Sequence, residues 1–176
     1  MVTLLLTNSD GIDISIWDQN FKDAGLASLA FVPSFTTTPN DTLNWPTLGT
    51  ILGAGKQVVI FLDAGADQSK VAYILPEFTF MWETPFDVTN PSFPCNVDRP
   101  STLQNKIPTG RLSVINHFLD QAITASVLVP DTAALNVTNG EEGTGSLGLQ
   151  ADTCSAMYGR YPNFMLVDCM PLPRCH

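Results

Sequence analysis

In Gln57-Val58-Val59-Ile60-Phe61-Leu62-Asp63, five apolar residues, three of them β-branched, follow one another without a polar break. A strand with one wet face alternates; an unbroken apolar run predicts a strand buried on both faces, the mark of a parallel sheet covered by helices. The carboxylate follows at once, at the strand's carboxyl end, where parallel α/β folds receive their ligands. Asp63 is therefore expected to face a rim and not a core.

The same arrangement recurs along the chain. Phe78-Thr79-Phe80-Met81-Trp82 ends at Glu83, Leu112-Ser113-Val114-Ile115 at Asn116-His117, and Phe164-Met165-Leu166-Val167 at Asp168. Strands are predicted near 2–7, 57–62, 78–82, 112–116 and 163–168, with a weaker extended piece at 29–32. Between them, Ile16, Trp17 and Phe21 are spaced for a helix over 15–24 that Gly25 stops. A second helix opens at Trp45-Pro46, puts Leu48, Ile51 and Leu52 on one face, and ends at Gly53 and Gly55. A third is expected over 149–158. Residues 118–126 read as a turn or short helix, 127–129 as extended, and 130–135 as a short turn. The pattern predicts an α/β chain, a partial TIM (β/α) barrel with approximately strands four to eight. It forms one domain over 1–176 with an atypical tail at 169–176, where Pro171 and Pro173 oppose a closing helix. A typical complete barrel takes about 250 residues, against 176 here.

Charge removes several function classes. With 17 acidic against 8 basic residues and a net charge of −9, there is no Lys/Arg stripe to neutralise phosphates, so nucleic acid is not an expected partner. Steady attachment to anionic membranes is disfavoured, which leaves transient contact with a lipid surface. No apolar run is long enough to span a bilayer. The first residues lack a basic segment and read as a strand, not a signal peptide.

Cys95, Cys154, Cys169 and Cys175 allow three pairings as two disulfides. No C-x-x-C pair occurs, and two histidines make no zinc cluster. Asn40-Asp41-Thr42 and Asn136-Val137-Thr138 match the glycosylation acceptor pattern. Together with the cysteines they point to a secreted or extracytoplasmic full-length parent.

The candidate site residues are the polar groups that follow the apolar runs: Asp63, Glu83, Asp87, Asn116 and His117. Carboxylates at a rim can hold hydroxyls, position a histidine or bind a cation through oxygen. His117 could transfer a proton or order the junction of strand and loop; a single histidine does not supply two proton transfers. Asp67 reads as a loop or helix cap. Arg99, before Pro100 in a long loop, and Arg111, at the start of a strand, are the basic residues able to meet a phosphate, and Arg111 reads as structural. The loop Gly140-Glu141-Glu142-Gly143-Thr144-Gly145-Ser146-Leu147-Gly148 lacks the lysine of a nucleotide-binding loop and carries two glutamates, so it reads as mobile surface chain. No serine sits in a nucleophile-elbow pattern.

The ordered segments Val58-Val59-Ile60-Phe61-Leu62-Asp63-Ala64-Gly65-Ala66-Asp67, Trp82-Glu83-Thr84-Pro85-Phe86-Asp87-Val88, Ile115-Asn116-His117-Phe118-Leu119-Asp120 and Pro162-Asn163-Phe164-Met165-Leu166-Val167-Asp168 together resemble the fungal phosphatidylinositol-specific phospholipase C-like phosphodiesterases. The likeness covers about residues 1 to 168. It implies a TIM-barrel phosphoric diester hydrolase of lipid metabolism, often secreted, in which one histidine deprotonates an inositol hydroxyl and another protonates the leaving oxygen. The resemblance places those histidines after the first two barrel strands, ahead of this chain, and His117 matches neither. It therefore implies a hydrolase-like fragment that is inactive or weakly active alone, with Asp63, Glu83, Asp87, Asn116 and His117 as a supporting rim for an inositol-containing or other phosphodiester ligand. The alternative is a non-catalytic polyol or inositol-phosphate binding or scaffold protein. No cofactor or metal is assigned, with Ca²⁺ left open because the carboxylates form no sequence-local calcium loop.

Overall fold

The computed structural model describes residues 1–34 and 45–168. The chain divides into two compact units, Met1–Met81 with Thr109–Arg111, and Trp82–Pro108 with Leu112–His176.

The first unit is built around the run that opened the sequence. Strand β1 (Val2–Leu6) leads to helix α1 (Ile14–Asp23), then α2 (Leu48–Gly53), β2 (Val58–Leu62), β3 (Ile74–Pro76) and the helical turn α3 (Glu77–Phe80). The strands form a parallel sheet in the order β1-β2-β3, with Val2 opposite Val58 and Ile60 opposite Ile74. All five residues of β2 are buried. Alternation sends Val58, Ile60 and Leu62 into a cluster with Ile14 and Phe21 of α1, while Phe61 meets Trp45 and Phe80 at ring separations of 5.9 and 6.3 Å. Helix α1 starts where Asp13 accepts a hydrogen bond from the Ser15 amide, which satisfies one of the amides a helix start leaves open. The weak piece at 29–32 is a 3-10 turn over Ala27–Leu29 followed by a parallel bridge from Ala30 to Val58.

In the second unit, β4 (Met81–Glu83), β5 (Leu112–Asn116) and β8 (Phe164–Leu166) form a sheet in the order β4-β5-β8. Strands β5 and β8 are parallel, with Val114 opposite Phe164. Strands β6 (Asp120–Thr124) and β7 (Val127–Pro130) make an antiparallel hairpin, followed by the short α4 (Leu135–Thr138) and by α5 (Leu147–Tyr158). A disulfide joins Cys95 to Cys154 of α5, and both sulfurs lie in a core cluster with Trp82, Val97 and Ile115.

The expected partial TIM barrel with strands four to eight does not form. Among the described residues the strands fall into three separate hydrogen-bonded sheets of three, three and two strands. Two local causes are visible. Pro76, with no amide hydrogen to donate, ends β3, and residues 77–80 wind into a helical turn, so the strand expected at 78–82 is reduced to Met81–Glu83. A short apolar run has the same periodicity in a buried helical turn as in a buried strand. Residues 118–126, expected to hold a turn or short helix, supply strand β6, which pairs antiparallel with β7 in the stretch 127–129 that was expected to be extended, so the chain leaves β5 as a hairpin and not as a covering helix. The other strands stand close to their expected bounds, and the third helix begins at Leu147, two residues earlier than expected.

The glycine-rich loop is exposed from Glu141 to Thr144, as expected of surface chain, and packed from Gly145 onward. Gly145, buried with φ +84°, lies against Pro91, and a side chain at Gly148 would collide with the Glu141 carbonyl. Cys169, Cys175, the proline-containing tail and the Asn40 acceptor pattern lie outside the described residues.

Candidate functional site

In the first unit, Asp63 stands one residue past β2 and accepts a hydrogen bond from the Asn8 amide at 2.7 Å. Asn8, at the matching end of β1, is almost wholly buried. Its side chain accepts from the Ile12 amide at 2.8 Å and donates to the Ile12 and Ala64 carbonyls at 3.0 and 3.2 Å. Asn8 thus ties the two strand ends together, and Asp63 fastens that tie. Beside it lies a cleft of about 330 Å³ whose lining includes Asn8, Asp13, Asp67 and Lys70 but not Asp63. Asp67 accepts from the amide and the hydroxyl of Ser69, the capping role expected of it. These bonds hold its carboxyl below the usual range, as the Ser15 bonds do for Asp13.

The second unit brings together Glu83, Asn116 and a residue that carried less weight in the sequence, Arg99. Glu83 closes β4 and is 3 % exposed. One of its carboxylate oxygens accepts from Arg99 Nη2 at 2.6 Å and from Asn116 Nδ2 at 3.1 Å. Asn116, at the end of β5, also donates to the Thr84 carbonyl at 2.8 Å, and its amide donates to the Thr84 hydroxyl at 2.9 Å. The backbone holds Arg99 as well, since the Glu83 amide donates to the Arg99 carbonyl and the Asp98 amide to the Glu83 carbonyl, both at 2.8 Å. The guanidinium carbon stands 4.5 Å from the centre of the Phe86 ring, a cation–π arrangement. The Arg99 side chain is 39 % exposed while that of Glu83 is 4 % exposed. A buried carboxylate therefore orients a guanidinium that reaches the surface, a donor geometry suited to an oxyanion.

His117 lies next to Asn116 in sequence but points into a different environment. It is fully buried. Its Nε2 donates to the Thr138 carbonyl at 2.7 Å, its Nδ1 meets the Gln150 side-chain amide, and its ring packs on Phe93 at 4.2 Å. Gln150 in turn donates to the Pro94 carbonyl at 3.1 Å. The histidine thus gathers β5, α4, α5 and the loop carrying Cys95, with both ring nitrogens engaged. Asp87 is exposed and adopts φ +57°. Its charge acts on Asp120, whose carboxyl is raised above the usual range first by burial, then by Asp87 and Asp168. Burial likewise raises Asp168.

Of the five expected site residues, Glu83 and Asn116 share one hydrogen-bonded cluster, His117 belongs to a structural clamp, Asp87 is an exposed neighbour, and Asp63 lies in the first unit. Arg111 donates to the Phe78 carbonyl at 2.6 Å, a structural role as expected. Thr84, Thr138 and Gln150 were invisible in the sequence because nothing in their spacing distinguishes a network member from a surface polar residue. Among the described residues no group of three or more His, Cys, Asp or Glu side chains could hold a metal ion, and no helix is long and apolar enough to cross a membrane.

The family model described as PI-PLC X 1 matches residues 1–173. The chain is 37 % identical over 170 residues to a protein of Arthroderma benhamiae named PI-PLC X domain-containing protein 1, covering 96 % of this chain and 53 % of that one. It is also 37 % identical over 171 residues to an uncharacterized secreted protein of the same fungus, covering 96 % of this chain and 38 % of the relative. The chain thus spans about half, or less, of the length of these relatives. No solved structure matches it.

Proposed function

The chain belongs to the PI-PLC X family, and from that premise we propose that its second unit supplies a rim that holds the phosphorylated polyol headgroup of a phosphodiester, with no proton-transfer pair of its own. The observation that carries the proposal is Arg99, held by the buried Glu83 at 2.6 Å and still 39 % exposed. In this assignment Arg99 meets the phosphate, while Glu83 and Asn116 keep the guanidinium in place. Asp87, exposed and next to Phe86 in sequence, adds a hydroxyl acceptor, and Asp63 supports the strand ends of the first unit. His117 orders the protein around the rim, because both its ring nitrogens are engaged and its surface is closed to solvent. The parent protein acts outside the cytoplasm, a reading supported by a relative described as secreted and by the Cys95–Cys154 disulfide.

Calorimetric titration with inositol 1-phosphate, run beside an assay on phosphatidylinositol and soluble inositol cyclic phosphate, tests both halves. Saturable binding is expected without product. Arg99→Ala should weaken it about tenfold or more, the cost of losing one charge-assisted contact, and Arg99→Lys should restore only part. Absence of binding would remove the headgroup role. Efficient turnover abolished by His117→Ala would overturn the non-catalytic one.

A further inference from the structure

The hairpin β6–β7 leaves the sheet directly after the rim. Strand β5 ends at Asn116, and β6 begins at Asp120. Its base is fastened: Leu119 bridges Val88, the Asp120 amide donates to the Val88 carbonyl at 2.9 Å, and the Asp131 amide donates to the Leu119 carbonyl at 2.7 Å. Beyond that base, every residue from Gln121 to Leu128 is exposed. Ile123 is 62 % exposed, Val127 47 % and Leu128 37 %. An isolated two-stranded hairpin is marginal in water, and beyond its base the described residues cover neither face of this one.

Its chemistry narrows what covers it. Between Asp120 and Asp131 the sequence Gln121-Ala122-Ile123-Thr124-Ala125-Ser126-Val127-Leu128-Val129-Pro130 carries no charge, in a chain of net charge −9. An anionic surface would be repelled by the chain as a whole, and a basic partner would find nothing on the hairpin to pair with. A second copy is also a poor occupant. Like charge opposes it, the irregular register between Ala122 and Thr124 disturbs one strand, and Pro130 removes a donor from the other; both features hinder edge-to-edge pairing. A protein groove would cover one face, whereas exposure on both faces suits a medium that surrounds the hairpin.

We propose that the β6–β7 hairpin inserts into the interfacial layer of an uncharged or zwitterionic lipid surface, through Ile123, Val127 and Leu128, and so presents the rim to headgroups. The inference rests on the headgroup role only for why the rim should face a bilayer. Insertion stays at headgroup depth, where the open strand edges still find hydrogen-bond partners; the hydrocarbon core would leave them unpaired.

The test is co-sedimentation of the purified chain with sucrose-loaded vesicles of phosphatidylcholine alone, at low and high salt. Binding is expected to persist in high salt and to fall about tenfold or more in Ile123→Asp/Leu128→Asp, the loss expected when two apolar side chains no longer leave water. Ile107→Asp, at a side chain 73 % exposed outside the hairpin, should leave it unchanged. If the double variant misfolds, Ser126→Trp gives a second readout: brominated phosphatidylcholine should quench the added tryptophan. No vesicle binding by the unaltered chain, binding that requires anionic lipid, or a dimer that the double variant dissolves without any vesicle effect would each overturn the proposal. Pure phosphatidylcholine carries no inositol, so failure here and failure of the inositol 1-phosphate titration are separate results.

Discussion

In the first unit the central strand β2 is apolar from end to end and buried on both faces. In the second, the central strand β5 ends in Asn116, with His117 after it, both buried and both hydrogen-bonded to groups distant in sequence. The first is held by removing hydrocarbon from water, which asks little of any single partner. The second buries polar groups whose cost is offset only while each keeps its partners. It adds a covalent tie, and the residues assigned to the headgroup hang on that polar frame. A site needs fixed directions, and hydrogen bonds supply direction where burial does not.

The sharpest way to break this contrast is to remove the tie. Cys95 and Cys154 are 59 residues apart in sequence, and loop-closure entropy for a span of that size amounts to roughly 4 kcal/mol. Cys95→Ala/Cys154→Ala should lose about that much in urea unfolding, with protection from hydrogen exchange falling in β5 and α5. A negligible loss would mean that the second unit is held by burial just as the first is. For the first unit the matching probe is Ile60→Ala, at a residue with no exposed surface. A large-to-small change there should cost about 3 kcal/mol, and a loss under about 1 kcal/mol would show that apolar burial along β2 is not what holds that sheet. Third in size is His117→Ala, which leaves the Thr138 carbonyl and the Gln150 side chain without their partner. The expected cost is about 2 kcal/mol, with exchange protection falling in α4 and α5; unchanged protection there would reduce His117 to filler.

The same contrast explains what could be read from the sequence. Strand β2 was legible because an unbroken apolar run has few solutions, and α1 because the spacing of Ile16, Trp17 and Phe21 agrees with the stop at Gly25; the Asp13 cap came only with the structure. Glu83 and Asn116 were legible as strand-end polar residues. Their partner Arg99 was visible only as a scarce cation in an acidic chain, and its pairing with Glu83 depends on a loop path that no local pattern encodes. The role of His117 was open for the same reason: Thr138 and Gln150 reach it across 21 and 33 residues. The barrel was overdrawn because Phe78-Thr79-Phe80 satisfies strand and helical-turn periodicities alike, and because sheet membership is a tertiary property. Alternation within β6 and β7 was too weak to announce a hairpin, since neither strand has a buried face to pattern against.

The smallest effect separates the two units by sign. In the first, hydrogen bonds from Ser15, Lys22 and Ser69 hold the carboxyls of Asp13, Asp18 and Asp67 below their usual range. A folded state that binds the proton less readily than the unfolded chain gains stability above the unfolded value, about pH 3.9, and loses it as pH falls through the lower folded value. In the second, burial raises Asp120 and Asp168. Their contribution is fully present below the unfolded value and is lost as pH rises through the higher folded one. Asp120→Asn should therefore unfold at higher urea than the parent chain at pH 7, and the gain should vanish as the pH is brought below about 4. Asp13→Ala should do the reverse, losing stability at pH 7 and approaching the parent as acid protonates the carboxylate in both states. If both variants moved the same way with pH, the opposition between a hydrogen-bonded surface carboxylate and a desolvated one would be wrong for this chain, and Asp120 would have to own a partner that favours its charge.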